Sequence, residues 1–266
     1  MSVSVHTSAS SPQFLAGLYE ASPLLMRLSL AFLLLFGLTY ALTGIDPRQL
    51  NGVSGWEKPA KFFLSLSLHA ATLAWGISLL GEEGRHSKLI RRGSAVFATS
   101  SIVELAYMCL QASRGEASHF NVSTTFTAIM YPLMGIGAVS LTTVTGLFGW
   151  RILRTRRDVA GFAAGLGFMI SAVSTTLVAG YLSNMGSHWI GGDQTDATGL
   201  AFFHWSTTGG DLRVAHFTSL HIMQALPLVA WFFPDKRVVA SAAILAVLAV
   251  GLLAVQALMG IPFLAA

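Results

Sequence analysis

The sequence predicts an all-α integral membrane protein, a bundle of seven transmembrane helices. Three observations carry that expectation. Of the 266 residues 53% are hydrophobic and only 11% are charged, and the mean hydropathy of +0.64 lies far from that of soluble domains. Seven segments approach the ~20 mostly apolar residues that a helix needs to cross a bilayer core of ~30 Å. They are 23–44, 59–81, 94–113, 123–149, 159–182, 214–233 and 238–262. The basic residues fall in short blocks between these segments, a pattern that sets topology, so a pI near 9.5 signals no nucleic-acid partner.

Residues 1–22 are expected to form a short cytoplasmic segment, with a weakly amphipathic piece around Phe14 to Tyr19, and 23–262 a single transmembrane domain. Arg27 precedes an apolar run, which reads as a retained first span; cleavage near Ala41 is the alternative. The second, third and sixth spans carry polar residues and are the least apolar of the seven. Pro132 interrupts the fourth and Pro227 the sixth. In the fifth, Gly161 and Gly165 stand at the spacing that lets one helix pack closely on another. The single cysteine, Cys109, allows no intrachain disulfide and reads as a packing residue.

Orientation follows from the basic residues. Arg27, Arg85, Lys88, Arg91, Arg92, Arg151, Arg154, Arg156, Arg157, Lys236 and Arg237 fall on one side, against Arg48, Lys58, Lys61, Arg114 and Arg213 on the other. The positive-inside rule then places the N-terminus in the cytoplasm and the C-terminus outside. The outer connections, 45–58, 114–122 and 183–213, hold nearly all the unusual residues. A site, if one exists, opens to that face.

Ionisable groups within a span are costly and usually face the bundle interior or a wet cavity. On the second span Lys58, Lys61, Ser65, His69 and Thr72 share one face, with His69 near mid-membrane and Lys58 able to snorkel. On the third, Glu104, Tyr107, Met108, Gln111 and Arg114 share a face, with Glu104 expected at a depth similar to His69. A pair of Glu104 with Lys61 or His69 would satisfy the carboxyl by tying two helices together. On the sixth, Arg213, His216, His221 and Gln224 fan over a broad arc, and His221 with Gln224 is expected to meet His69, Lys61 and Glu104. Thr208, Gly209, Gly210 and Asp211 read as a glycine turn followed by a helix cap. Trp56, Trp189 and Trp205 suit an interfacial aromatic belt.

Three stretches of the outer face carry a likeness. Gly55-Trp56-Glu57-Lys58-Pro59-Ala60-Lys61-Phe62, then Arg114-Gly115 with Ser118-His119-Phe120-Asn121, then Trp205 through Arg213 with His216, His221 and Gln224 resemble an uncharacterised family of bacterial multipass membrane proteins. The resemblance covers about residues 50 to 230 and implies a bacterial inner-membrane setting, without any catalytic role.

Three functional readings stand open. In the first, His69 and His221, with His216 or His119, ligate haem b or a transition metal in a redox protein, with Glu104 or Gln111 behind a ligand. In the second, an enzyme or transporter takes a small anionic or lipid-borne ligand on Lys58, Lys61, Arg114, His119 and Arg213, with Gln111 and Gln224 lining the site. Glu104 and His69 then serve as acid, base or proton relay. In the third, no cofactor is bound and the polar network is that of a sensor or assembly factor.

Overall fold

The computed structural model describes residues 11–265, so residues 1–10 of the expected N-terminal segment and Ala266 lie outside it. The described chain is all-helical apart from two small strand pairs. Helix α1 (Ser11–Ala21) is followed by α2 (Pro23–Leu42), whose start is set by a proline in its first turn. Strands β1 (Gln49–Leu50) and β2 (Val53–Ser54) pair antiparallel, and Asn51 and Gly52 turn the hairpin with φ of 53° and 84°. Helix α3 (Glu57–Ser78) ends where Arg85, in the short helix α4 (Glu82–Arg85), donates to the carbonyls of Leu80 and Ser78.

Then come α5 (Lys88–Arg114), capped by Ser87, and α6 (Thr125–Thr155), which opens with a Thr124–Thr127 capping box. Next are α7 (Val159–Met185), capped by Asp158, and the strand pair β3 (Trp189–Ile190) with β4 (Gly210–Asp211). Last come α8 (Leu212–Phe232) and α9 (Lys236–Leu258).

Six of these helices are long and apolar enough to cross a membrane: α2, α3, α5, α6, α7 and α9. Helix α8 covers the expected sixth span and carries Arg213, His216, His221 and Gln224; it is not among these six. A multipass membrane protein is what these six helices fit.

The largest core joins α2, α3, α5, α6 and α7 through Leu25, Phe63, Leu73, Phe97, Phe148 and Phe168. Helix α7 packs along both α6 and α8, α2 along α3, and α9 along α8. Small residues allow the closest approaches. A Cβ on Gly149 would stand 2.7 Å from the Gly165 carbonyl oxygen, and one on Gly165 2.8 Å from that of Gly149. Gly161 does not serve this contact: its missing Cβ makes room for Arg156 and Asp158 in the turn that starts α7. Hydroxyls add links, Ser67 to the Ser29 carbonyl (2.8 Å) and Ser171 to that of Leu220 (2.9 Å). On α9, Leu245, Leu248 and Leu252 remain exposed, an exterior suited to lipid chains.

The connections 45–58, 114–122 and 183–213 form one layer over one end of the bundle, called the loop end below. The Asn51 carbonyl accepts from the Asp196 amide (2.9 Å) and the Thr195 hydroxyl (3.0 Å). Arg48 is bonded to Asp46 and to the Ser113 carbonyl at the end of α5, and the Trp56 indole donates to Asp46 (2.8 Å). These contacts hold the Asp46 carboxyl well below the usual carboxylate range, Arg48 first and Trp56 next. The three tryptophans of the expected belt all lie at the loop end, each with its own contact. Trp56 is held by Asp46, Trp189 lies against His188, and Trp205 is buried on a stack with Phe203 (4.4 Å).

Candidate functional site

The loop end gathers most of the charge. Because Glu57 and Lys61 are one helical turn apart in α3, they form an ion pair of 2.9 Å. Glu57 also accepts from Nε2 of His204, and the Lys61 ammonium lies 5.7 Å from the centre of the Phe202 ring. Phe202 and His204 both hold left-handed backbone, with φ of 67° and 56°, so this turn is retained by its contacts rather than by local preference.

Arg213, in the first turn of α8, fastens the same loop from the other side. It reaches Asp211 at 2.6 Å, Asp196 at 2.8 Å and the His204 carbonyl at 2.6 Å. Asp211 caps α8, accepting from the Arg213 amide (2.9 Å), and accepts from the Ser206 amide (3.0 Å). His188 sits 3.7 Å from the Asp211 carboxylate without a hydrogen bond. Burial and then the charges of Arg213 and Lys58 push its pKa down to about 3 against the pull of Asp211, so its ring is neutral.

Lys58, one residue from Glu57 and so turned roughly 100° around the helix, has neither ion pair nor hydrogen bond among the described residues, and its side chain is exposed. The charges of Arg213 and Asp196 and the rings of His119 and His188 lie close enough to interact with it. His119 packs on Phe62 and Tyr131 and bonds to the Ser118 hydroxyl (3.0 Å). Burial and the Lys58 charge hold its pKa well below the ordinary histidine value. Arg114 pairs with Glu116 (3.1 Å), and the Gln111 amide donates to Glu116 and to the Ala117 carbonyl, both at 3.2 Å.

Deeper in the bundle, Nε2 of His69 lies 2.8 Å from the Thr145 hydroxyl, which itself donates to the Leu141 carbonyl (2.9 Å). That hydroxyl proton is committed, so the imidazole is the donor and keeps its lone pair on Nδ1. On α8, Gln224 donates to the Thr72 hydroxyl (3.1 Å), whose proton goes to Leu68. The Gln224 oxygen therefore accepts from Nδ1 of His221 (3.3 Å), which leaves the lone pair of His221 on Nε2. His221 lies near enough to His69 and to His216 for electrostatic interaction. The three histidines expected as ligands are not gathered further: among the described residues no group of three or more His, Cys, Asp or Glu side chains could hold a metal ion.

The expected meeting of Glu104 with Lys61 or His69 does not occur. Lys61 is engaged by Glu57, His69 by Thr145, and the Glu104 carboxyl points to Gly137 on α6. The reason is an offset in height. The His69 ring lies 4.9 Å from that of Phe97, seven residues before Glu104 on α5 and therefore roughly 10 Å deeper. Depth counted from helix ends misleads here, because α3 and α5 do not end at one level. His221 and Gln224 do meet the α3 stripe, at Thr72 and near His69.

Glu57, His188, Asp196 and His204 are members of the loop-end cluster that sequence reasoning passed over. For Glu57 a signal existed in its spacing to Lys61; the other three lie in the irregular 183–213 connection, where no periodicity marks a partner. Compared with protein-family models, with curated proteins and with solved structures, the chain has no match.

Proposed function

We propose that this chain is a seven-helix protein of a bacterial inner membrane, with a cytoplasmic N-terminus, a periplasmic C-terminus and α8 as its sixth span, beside the six helices that are apolar enough to cross on their own. Its loop end binds a small anionic or lipid-borne ligand through Lys58. The observation that carries this reading is the pairing at that end. Lys61, Arg213, Arg48 and Arg114 each have a carboxylate partner, whereas Lys58 has none among the described residues. Beside it stand the Arg213 guanidinium, already paired with Asp196 and Asp211, and two neutral histidines, His119 and His188, so an anion there meets the Lys58 ammonium with imidazole groups at hand. Arg213 and Lys61 then act mainly by fixing the 196–211 loop beside Lys58.

The test is binding of two probes to the full-length protein in nanodiscs: inorganic phosphate, and phosphatidylglycerol supplied in the bilayer. Lys58→Ala is expected to weaken at least one of them about tenfold, the scale of one charge-assisted contact. Which probe responds separates a free anion from a lipid headgroup. Unchanged affinity for both in Lys58→Ala sinks the proposal.

A second reading, haem b or a transition metal on His69 and His221, has one observation in its favour. Both imidazoles are neutral donors whose remaining lone pairs are unclaimed by protein hydrogen bonds, on Nδ1 of His69 and Nε2 of His221. Two imidazoles would be enough protein ligands to hold a haem, whereas a lone transition metal would need ligands beyond them. An optical spectrum and metal analysis of purified protein, repeated on His69→Ala and His221→Ala, decides it: no Soret band and no stoichiometric metal ends this reading.

A further inference from the structure

Three buried polar side chains on one face of α5 each leave an oxygen without a hydrogen-bond partner among the described residues. Glu104, Tyr107 and Gln111 are 4%, 4% and 0% exposed. The Oε1 of Glu104, the hydroxyl of Tyr107 and the Oε1 of Gln111 have no hydrogen bond among the described residues. Their spacing of three and four residues places them in a column with axial steps of roughly 4.5 and 6 Å. Each such orphan costs ~1–3 kcal/mol, more in hydrocarbon, so three in line are tolerated only if something small and polar joins them.

The site around Glu104 is built. A Cβ on Gly137 of α6 would stand 2.5 Å from the Glu104 Oε1 and 3.3 Å from its Cδ, so the glycine is the cradle in which the carboxyl lies. No charged group of α2, α3 or α6 lies close enough to act on it; Lys61 is taken by Glu57, and His69 sits two turns deeper against Phe97 and Thr145. On its own helix the nearest titratable group is Tyr107, whose hydroxyl feels Glu116 and Arg114 at the loop end. At the top of the column Gln111 spends its amide donors on Glu116 and Ala117 and turns a free carbonyl oxygen inward.

We propose that Glu104 is a reversible proton-binding site, fed from the loop end by a file of water molecules that Gln111 and Tyr107 hold. The carboxyl gains a proton from the file and returns it the same way. Gln111 accepts from water, Tyr107 both donates and accepts, and Glu104 terminates the chain. The site is independent of the ligand at Lys58.

The experiment is infrared difference spectroscopy of the full-length protein in nanodiscs, titrated between about pH 4 and pH 9 in H2O and D2O. A carboxyl C=O band that grows as pH falls, shifts in D2O and is missing from Glu104→Gln is expected. Hydrogen exchange of that band should slow at least about tenfold in Tyr107→Phe and in Gln111→Leu, since each removes one link of the file. A band that persists in Glu104→Gln, no such band at any pH, or a band abolished by sodium overturns the proton site. Equal exchange in wild type, Tyr107→Phe and Gln111→Leu overturns the file. If Glu104→Gln fails to fold, Gly137→Ala, which crowds the carboxyl, must shift the same band; a band indifferent to it belongs to another residue.

Discussion

Nε2 of His69 on α3 donates to the hydroxyl of Thr145 on α6, 2.8 Å away, inside the common core. The contact fixes the tautomer of the histidine and ties two helices that touch otherwise through apolar side chains. Thr145→Val keeps the shape and removes the acceptor, leaving a buried N–H unpaired. A loss of about 1–3 kcal/mol in unfolding free energy is expected, against little change for Thr145→Ser. Denaturant unfolding in detergent measures both; equal stability of Thr145→Val and wild type would show that the bond contributes nothing.

Gln224 and Thr72 connect α8 to α3 by a single hydrogen bond of 3.1 Å. A double-mutant cycle of Gln224→Leu and Thr72→Ala should give a coupling of about 0.5–1.5 kcal/mol, the range for polar contacts between membrane helices. Additive losses would mean that the two residues do not meet in the folded protein.

Arg213 is the fastener of the loop end, because it pairs with both Asp196 and Asp211 and holds the His204 carbonyl. Arg213→Ala leaves two largely buried carboxylates without their cation, a loss of about 3–5 kcal/mol. Limited proteolysis should then cut within 187–211 while the helices stay intact. Arg213→Lys, which keeps the charge and loses the fork, should fall between. No change in the digestion pattern would contradict this role.

Acid should loosen the loop end. His188 is neutral in the folded chain, with its pKa pushed to about 3 from 6.5, and His119 is shifted the same way. As pH falls below 6.5 the unfolded chain takes up protons that the folded one refuses, so stability declines, for His188 toward pH 3 by up to about 1.4 kcal/mol per pH unit, and His119 acts in the same direction. Above 6.5 neither ring contributes a slope. His188→Gln should flatten part of the acid limb in unfolding measured at a series of pH values; an unchanged limb would remove His188 from this account.

The helices were legible in the sequence because hydropathy and caps are local. Each of the seven expected segments coincides with a helix, and Asp211 caps α8 as its place after the glycines predicts. The β1–β2 hairpin carried a signal that went unread, Asn51-Gly52 between short extended runs. The β3–β4 pair offered none, since two residues make no alternation and their partners lie some twenty residues apart. The Glu57–Lys61 pair was readable from its four-residue step.

By itself the sequence determined that apolar helices alternate with basic connectors and that the costly polar residues crowd one end and three helix faces. Partners were decided by the tertiary structure. Height offsets between helices sent His69 to Thr145 and left Glu104 facing Gly137. The folding of the 183–213 connection over α3 gave Glu57 a second partner in His204 and paired Arg213 with Asp196, so Lys58 alone among the loop-end cations kept its charge unpaired among the described residues. A stripe on a helix is local geometry; which residue it meets depends on how far each helix slides and tilts against its neighbours, and no single helix encodes that.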